Sequence, residues 1–134
     1  MTEDEIIVDV KNLEKNYSSL EVIKGISFSV HKGQVLGIIG PSGSGKSTIL
    51  RCITQLEDVT NGTITICGRH LVTNGVYSSK DELRKIALDV GLVFQNFNLF
   101  PHYSVLENIV KPQVAVLKKS KQEAVETARE LLAK

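Results

Sequence analysis

Tryptophan is absent from this 134-residue chain, and the sequence holds only two cysteines, three prolines and 5% aromatic residues. Two cysteines, Cys52 and Cys67, cannot build the disulfide framework of a small secreted domain, and their spacing fits no zinc pattern. Both are expected as reduced core residues of a cytosolic protein, because a free thiol packs like a small hydrophobe. Nowhere do about 18 apolar residues run together, and the acidic start MTEDEIIVDV lacks the basic opening of a secretory signal. The expectation is a chain that neither spans a membrane nor is exported, though it can dock on a membrane protein. Charge of one sign is also missing: 16 basic and 15 acidic residues leave a net +1. No global field steers nucleic acid to the surface, so any anion site must be local. His31, His70 and His102 are scattered among turns and polar stretches and suggest no metal centre.

What is present is enough apolar residue, 42%, for one domain with a real core. IIVDVKNL from Ile6, ISFSV from Ile26 and GTITICG from Gly62 alternate apolar with polar residues, the period of half-buried antiparallel strands. VLGII from Val35 and VGLVFQ from Val90 are nearly all apolar and predict strands covered on both faces, in the middle of a sheet. Helices are predicted from Ser47, with Ile49, Leu50, Ile53 and Leu56 on one face, and from a cap near Ser79 or Asp81 to about Leu88. Ser104 with Glu107, and Ser120 with Glu123, have capping-box spacing and predict two more. The last carries a stripe of Ala124, Val125, Ala128, Leu131 and Leu132. Lys118, Lys119 and Lys121 ahead of it are read as a solvated linker, and Phe94, Phe97 and Phe100 as core and part of an interface.

Between the first all-apolar run and the helix stands GPSGSGKST. Gly40, Gly45, Lys46 and Ser47 fit G-x-x-x-x-G-K-[ST], the phosphate-binding loop, in the place its mechanism needs: after a buried strand and at a helix start. Glycines allow consecutive backbone N–H groups to turn inward around a phosphate, and the helix start adds donors and partial positive charge. Gly40, Ser42, Gly43, Ser44 and Gly45 are the candidate cradle. Lys46 is expected to reach the β- and γ-phosphates, the Ser47 hydroxyl to ligate Mg²⁺, and Thr48 to supply a second hydroxyl. The loop by itself serves many chemistries, and a small nucleoside-monophosphate kinase is one reading of it.

About 35 residues of antiparallel pattern before the loop, with Tyr17 in the turn-like KNYSS and Gln95 closing GLVFQNFNLFPHYSVLENI, resemble the nucleotide-binding domain of ABC transporters. The wording of the last run is closest to importers of polar amino acids. The resemblance covers essentially the whole chain and implies an α/β fold: a P-loop NTPase core with an N-terminal antiparallel β layer over residues 1–95, and the beginning of a helical subdomain over 96–134. It implies that Tyr17 stacks on the adenine of ATP. It also implies that Gln95 approaches Mg²⁺ and the attacking water, with Lys46 and Gln95 as the catalytic pair and Ser47 and Gln95 at the metal. The implied partners are membrane permease subunits and a second copy of the ATPase subunit, with no nucleic acid, at the cytoplasmic face of the membrane. A non-transport ABC ATPase remains the other family reading.

The family continues into an LSGGQ-type signature, an acidic Walker B strand end and a late histidine switch, and none of these motifs occurs between Met1 and Lys134. The sequence therefore reads as roughly the first half of such a domain. ATP binding at most, with little or no hydrolysis, is expected of it alone.

Overall fold

The computed structural model describes residues 5–96 and 98–134. The chain divides into two compact units, Met1–Leu92 and Val93–Lys134. The first unit holds five strands: β1 (Ile6–Tyr17), β2 (Leu20–His31), β3 (Asn61–Ile66), β4 (Arg69–Thr73) and β5 (Val76–Tyr77). They form one sheet in the order β2-β1-β3-β4-β5, antiparallel at every junction. Helices α1 (Lys46–Ile53) and α2 (Lys80–Ala87) belong to the same unit, and α3 (Val105–Ala115) and α4 (Lys121–Leu132) make up the second.

Alternation in sequence becomes alternation in burial. In β3, Gly62, Ile64 and Ile66 are buried while Thr63 and Thr65 are half-buried. Ile64 and Ile66 join Val10, Leu13, Ile23, Leu71 and Val72 of the sheet in a core closed by Ile49 and Cys52 of α1 and Ile86 of α2. Each such side chain contributes about 1.5–3 kcal/mol by leaving water. The pairing of β1 with β3 shifts register between Lys11 and Glu14. Gly62 faces that irregularity with φ 113°, and a β-carbon there would stand 2.7 Å from the Asn12 carbonyl oxygen and 2.8 Å from Leu13 Cα. Only a glycine lets the two backbones approach so closely.

Serine hydroxyls start three of the helices. Ser79 accepts from the Glu82 N–H, Ser104 from Glu107 and Ser120 from Glu123, and at Ser104 the Glu107 carboxylate returns a bond to the Ser104 N–H. In the second unit α3 meets α4 through Val110, Ala124 and Ala128, flanked by Leu106, Ile109 and Val125. Buried Gln113 ties the two helices: its Nε2 donates to the Ile109 and Ala124 carbonyls at 3.1 and 3.2 Å, and its Oε1 accepts from Lys119 Nζ at 3.0 Å.

Several expectations need correction. Residues 35–39 and 90–95 are not strands, and Val35, Ile39 and Val93 are 98, 98 and 95% exposed. A doubly covered strand needs a hydrogen-bonded neighbour and a layer on each face. Among the described residues the only sheet is the antiparallel one, which neither segment joins. Cys67 is exposed because, with Gly68, it forms the two-residue turn between β3 and β4, where both residues take positive φ (49° and 78°) and point away from the core. Helix α1 ends at Ile53, short of Leu56, and Leu50, Leu56, Leu131 and Leu132 are about half exposed, so the predicted apolar stripes outrun the surfaces that cover them. Phe94 and Phe100 are likewise about half exposed rather than core, and Phe97 lies outside the described residues.

Candidate functional site

The segment from Gly40 to Thr48 folds as a tight loop running straight into α1. Ser44 N–H donates to the Pro41 carbonyl at 3.2 Å, closing a turn through Ser42 and Gly43, and Gly43 takes φ 81°. Ser44 then folds its side chain back onto Gly40, where a β-carbon would meet Ser44 Oγ at 2.7 Å. Gly45 is the N-cap of α1, buried and left-handed at φ 95°, with its carbonyl accepting from Ile49 N–H at 3.0 Å. It rests on β2: a β-carbon at Gly45 would lie 3.2 Å from the Val22 carbonyl oxygen, 3.3 Å from Val22 Cγ1 and 3.5 Å from Ile23 Cγ1. Positive φ at Gly43 and Gly45, and the closeness of β2 at Gly45, call for glycine there, whereas at Gly40 an added carbon would meet only side-chain atoms of Ser44 and Lys46.

The start of α1 differs from those of α2, α3 and α4. Its N-cap offers no side-chain acceptor and its first turn no acidic residue, whereas each of the others has a serine cap and at least one carboxylate. The first-turn N–H groups and the positive end of the helix dipole are therefore left for an acceptor from outside the helix. Lys46 Nζ arches back over the loop and donates to the carbonyl of Gly40, and to that of Pro41 at 3.1 Å. An ammonium held by two neutral carbonyls at the edge of a donor-rich turn is placed to exchange them for phosphate oxygens, which are stronger acceptors. Ser47 is exposed and Thr48 half-buried in the same first turn.

Gly40, Ser42, Gly43, Ser44, Gly45, Lys46, Ser47 and Thr48 are accordingly brought into one loop and helix start. Tyr17 is in the same unit, at the end of β1 opposite Leu20, with 40% of its surface exposed. Gln95 belongs to the second unit, where it is exposed. No motif pointed to Val22 and Ile23 as the floor under Gly45; their only trace in the sequence is the apolar pair in LEVIKG. For a divalent metal, no cluster of three or more His, Cys, Asp or Glu exists among the described residues. The Ser47 hydroxyl beside a phosphate cradle fits Mg²⁺ all the same, since that ion is usually held by one or two protein oxygens, phosphate and water.

A glycine loop that seats a lysine, a serine and a helix N-terminus behind an antiparallel sheet defines a nucleotide-binding protein of the P-loop class. The chain matches the ABC transporter family over residues 23–134 and belongs to it. That match supersedes the nucleoside-monophosphate kinase reading. The chain is 41% identical over 128 residues to the glutamine transport ATP-binding protein GlnQ of Bacillus subtilis, covering 96% of this chain and 51% of that protein. It is 48% identical to the L-cystine transport system ATP-binding protein TcyN of Escherichia coli, covering 95% of this chain and 51% of TcyN. Among solved structures, the ATP-binding cassette MJ0796, a dimer in a post-hydrolysis state bound to ADP and Pi, superposes with a TM-score of 0.80 at 34% identity. That superposition covers 95% of this chain and 56% of the MJ0796 chain. The chain spans about half the length of the curated relatives it matches.

Proposed function

We propose that this chain supplies the ATP-binding half-site of the ATPase subunit of a transporter that imports a polar amino acid or a similar small solute. The observation that carries the reading is the pairing of an uncapped α1, free of acidic residues in its first turn, with Lys46 folded over the loop that precedes it. The names of the relatives, glutamine and cystine transport among them, support the solute class and favour transport over other ABC ATPase roles.

In this reading the backbone N–H groups of Gly43 to Lys46 take the β-phosphate, Ser44 N–H leaving the Pro41 carbonyl to do so, and Lys46 moves from the Gly40 and Pro41 carbonyls to the β- and γ-phosphoryl oxygens. The Ser47 hydroxyl would hold Mg²⁺, which would supply positive charge beside those oxygens, and Thr48 would offer a second hydroxyl. Tyr17 stacks on adenine. By the family resemblance, Gln95 would orient the attacking water and approach the metal. The partners are permease subunits, whose binding holds the protein at the cytoplasmic face of the membrane, and a second copy of the ATPase subunit, as in the dimeric MJ0796 cassette. No helix among the described residues is long and apolar enough to cross a membrane.

Calorimetric titration with Mg-ATP tests the reading. Saturable binding that is lost in Lys46→Ala and weakened in Tyr17→Ala is the expected result. Equal binding by the chain and Lys46→Ala overturns it.

A further inference from the structure

Lys15 lies on the same face of β1 as Tyr17, two residues before it, and only 12% of its side chain is exposed. Its ammonium donates to the Asp58 carbonyl at 2.5 Å, pairs with the Glu57 carboxylate at 3.5 Å, and stands over the Tyr17 ring at 4.9 Å from the centroid. Glu57 and Asp58 follow the end of α1, the helix whose other end is the phosphate loop. Two more hydrogen bonds stitch the same corner, Asn16 N–H to the Thr60 hydroxyl and Thr60 N–H to the Glu14 carbonyl, both at 2.9 Å. Lys15 is therefore a largely buried cation held against the segment that follows α1, with an aromatic ring beside it.

We propose that Lys15 is the positioning residue of the base platform: it holds the Tyr17 ring by a cation–π contact and ties that ring to α1, so that platform and phosphate loop keep a fixed separation. The inference rests on the reading of Tyr17 as the residue that stacks on the base. A short exposed tyrosine at a strand end has two rotatable side-chain torsions, and ordering it at the moment of binding costs affinity. An ammonium already seated against one part of the ring removes that cost and leaves the 40% that is exposed for a second planar group. The cation also draws electron density from the ring, which favours an electron-rich purine as the stacking partner.

Two ligands separate this role from a general effect on the fold. Mg-ATP uses platform and loop, whereas inorganic tripolyphosphate with Mg²⁺ uses the loop alone. Lys15→Met is expected to weaken ATP about 3- to 10-fold, the range of a partly desolvated cation–π contact, and to leave tripolyphosphate affinity unchanged. Lys15→Met combined with Tyr17→Leu is expected to bind ATP no more weakly than Tyr17→Leu alone. Unchanged ATP affinity in Lys15→Met, equal losses on both ligands, or losses that multiply in the double variant overturn the inference. If Tyr17→Leu itself binds ATP as the unmutated chain does, the platform reading falls and the inference falls with it. A measurement without substitution covers the case in which Lys15→Met does not fold. The Lys15 ε-methylene protons of the unmutated chain are expected upfield of ordinary lysine and to respond to ATP but not to tripolyphosphate; ordinary shifts contradict the contact.

Discussion

Gly45 lies against Val22 so closely that a single added carbon would touch both the carbonyl oxygen of Val22, at 3.2 Å, and its Cγ1, at 3.3 Å. The N-terminus of α1 is thus seated on β2, and the position of the phosphate loop is set by the sheet rather than by the loop alone. Because Gly45 also holds φ 95°, Gly45→Ala meets steric and conformational penalties together, about 1–3 kcal/mol. Urea unfolding should register that loss, with nucleotide affinity falling at the same time as the N-cap shifts.

Glycines with positive φ should not respond alike. Gly62→Ala drives a β-carbon into backbone atoms of Asn12 and Leu13 at 2.7 and 2.8 Å, while Gly68→Ala, at φ 78°, meets nothing within 4 Å. The expected costs are about 2–5 kcal/mol at Gly62, where strain and overpacking combine, and about 1–2 kcal/mol at Gly68, where only the backbone conformation is penalised. Denaturant midpoints of the two variants check the order.

The two thiols should separate in a labelling experiment. Cys52 is wholly buried, and burial pushes its thiol above the ordinary cysteine range, partly offset by the nearby Lys15 ammonium. Cys67 stands exposed at its turn. A disulfide reagent at neutral pH should modify one thiol quickly and the second only in denaturant, and Cys67→Ser should abolish the fast reaction.

Acid should loosen the start of α3. The Ser104 backbone N–H, followed by the Ser104 hydroxyl, holds the Glu107 carboxyl below the ordinary carboxylate range. A lowered folded-state pKa means that this stabilisation is fully present above the unfolded carboxylate value and fades as pH falls through the lowered one. Helicity should decline in that acid window, and Glu107→Gln should flatten the pH dependence of the α3 signal.

Ile39→Lys and Val93→Lys should each change the stability of this chain by no more than about 0.5 kcal/mol, since both positions are exposed here. A loss of several kcal/mol in unfolding experiments would return these residues to a buried strand.

Local chemistry was legible in the residues, and distant partnership was not. GPSGSGKST announced its loop because Gly43 and Gly45 answer backbone demands, and Ser79, Ser104 and Ser120 announced helix starts because an N-cap is satisfied within four residues. GTITICG showed its strand by alternation, although its Cys67 turned outward once the tight turn took both last residues into positive φ. Residues 35–39 and 90–95 show the limit. An apolar run states that burial is wanted, but the run by itself carries no trace of which segment would pair with it. Lys15 and Val22 were silent for the same reason, since their roles come from Glu57, Asp58 and Gly45, brought near only by the fold.

The central claim is that the loop from Gly40 to Thr48 binds the phosphates of a nucleotide, and a thermal melt tests it most directly. At 100 times its dissociation constant a ligand specific for the folded state adds about 2.7 kcal/mol. The account predicts one cooperative transition that rises with Mg-ATP in the unmutated chain and stays in place in Lys46→Ala. A transition that Mg-ATP leaves unmoved, or moves equally in both proteins, would contradict it.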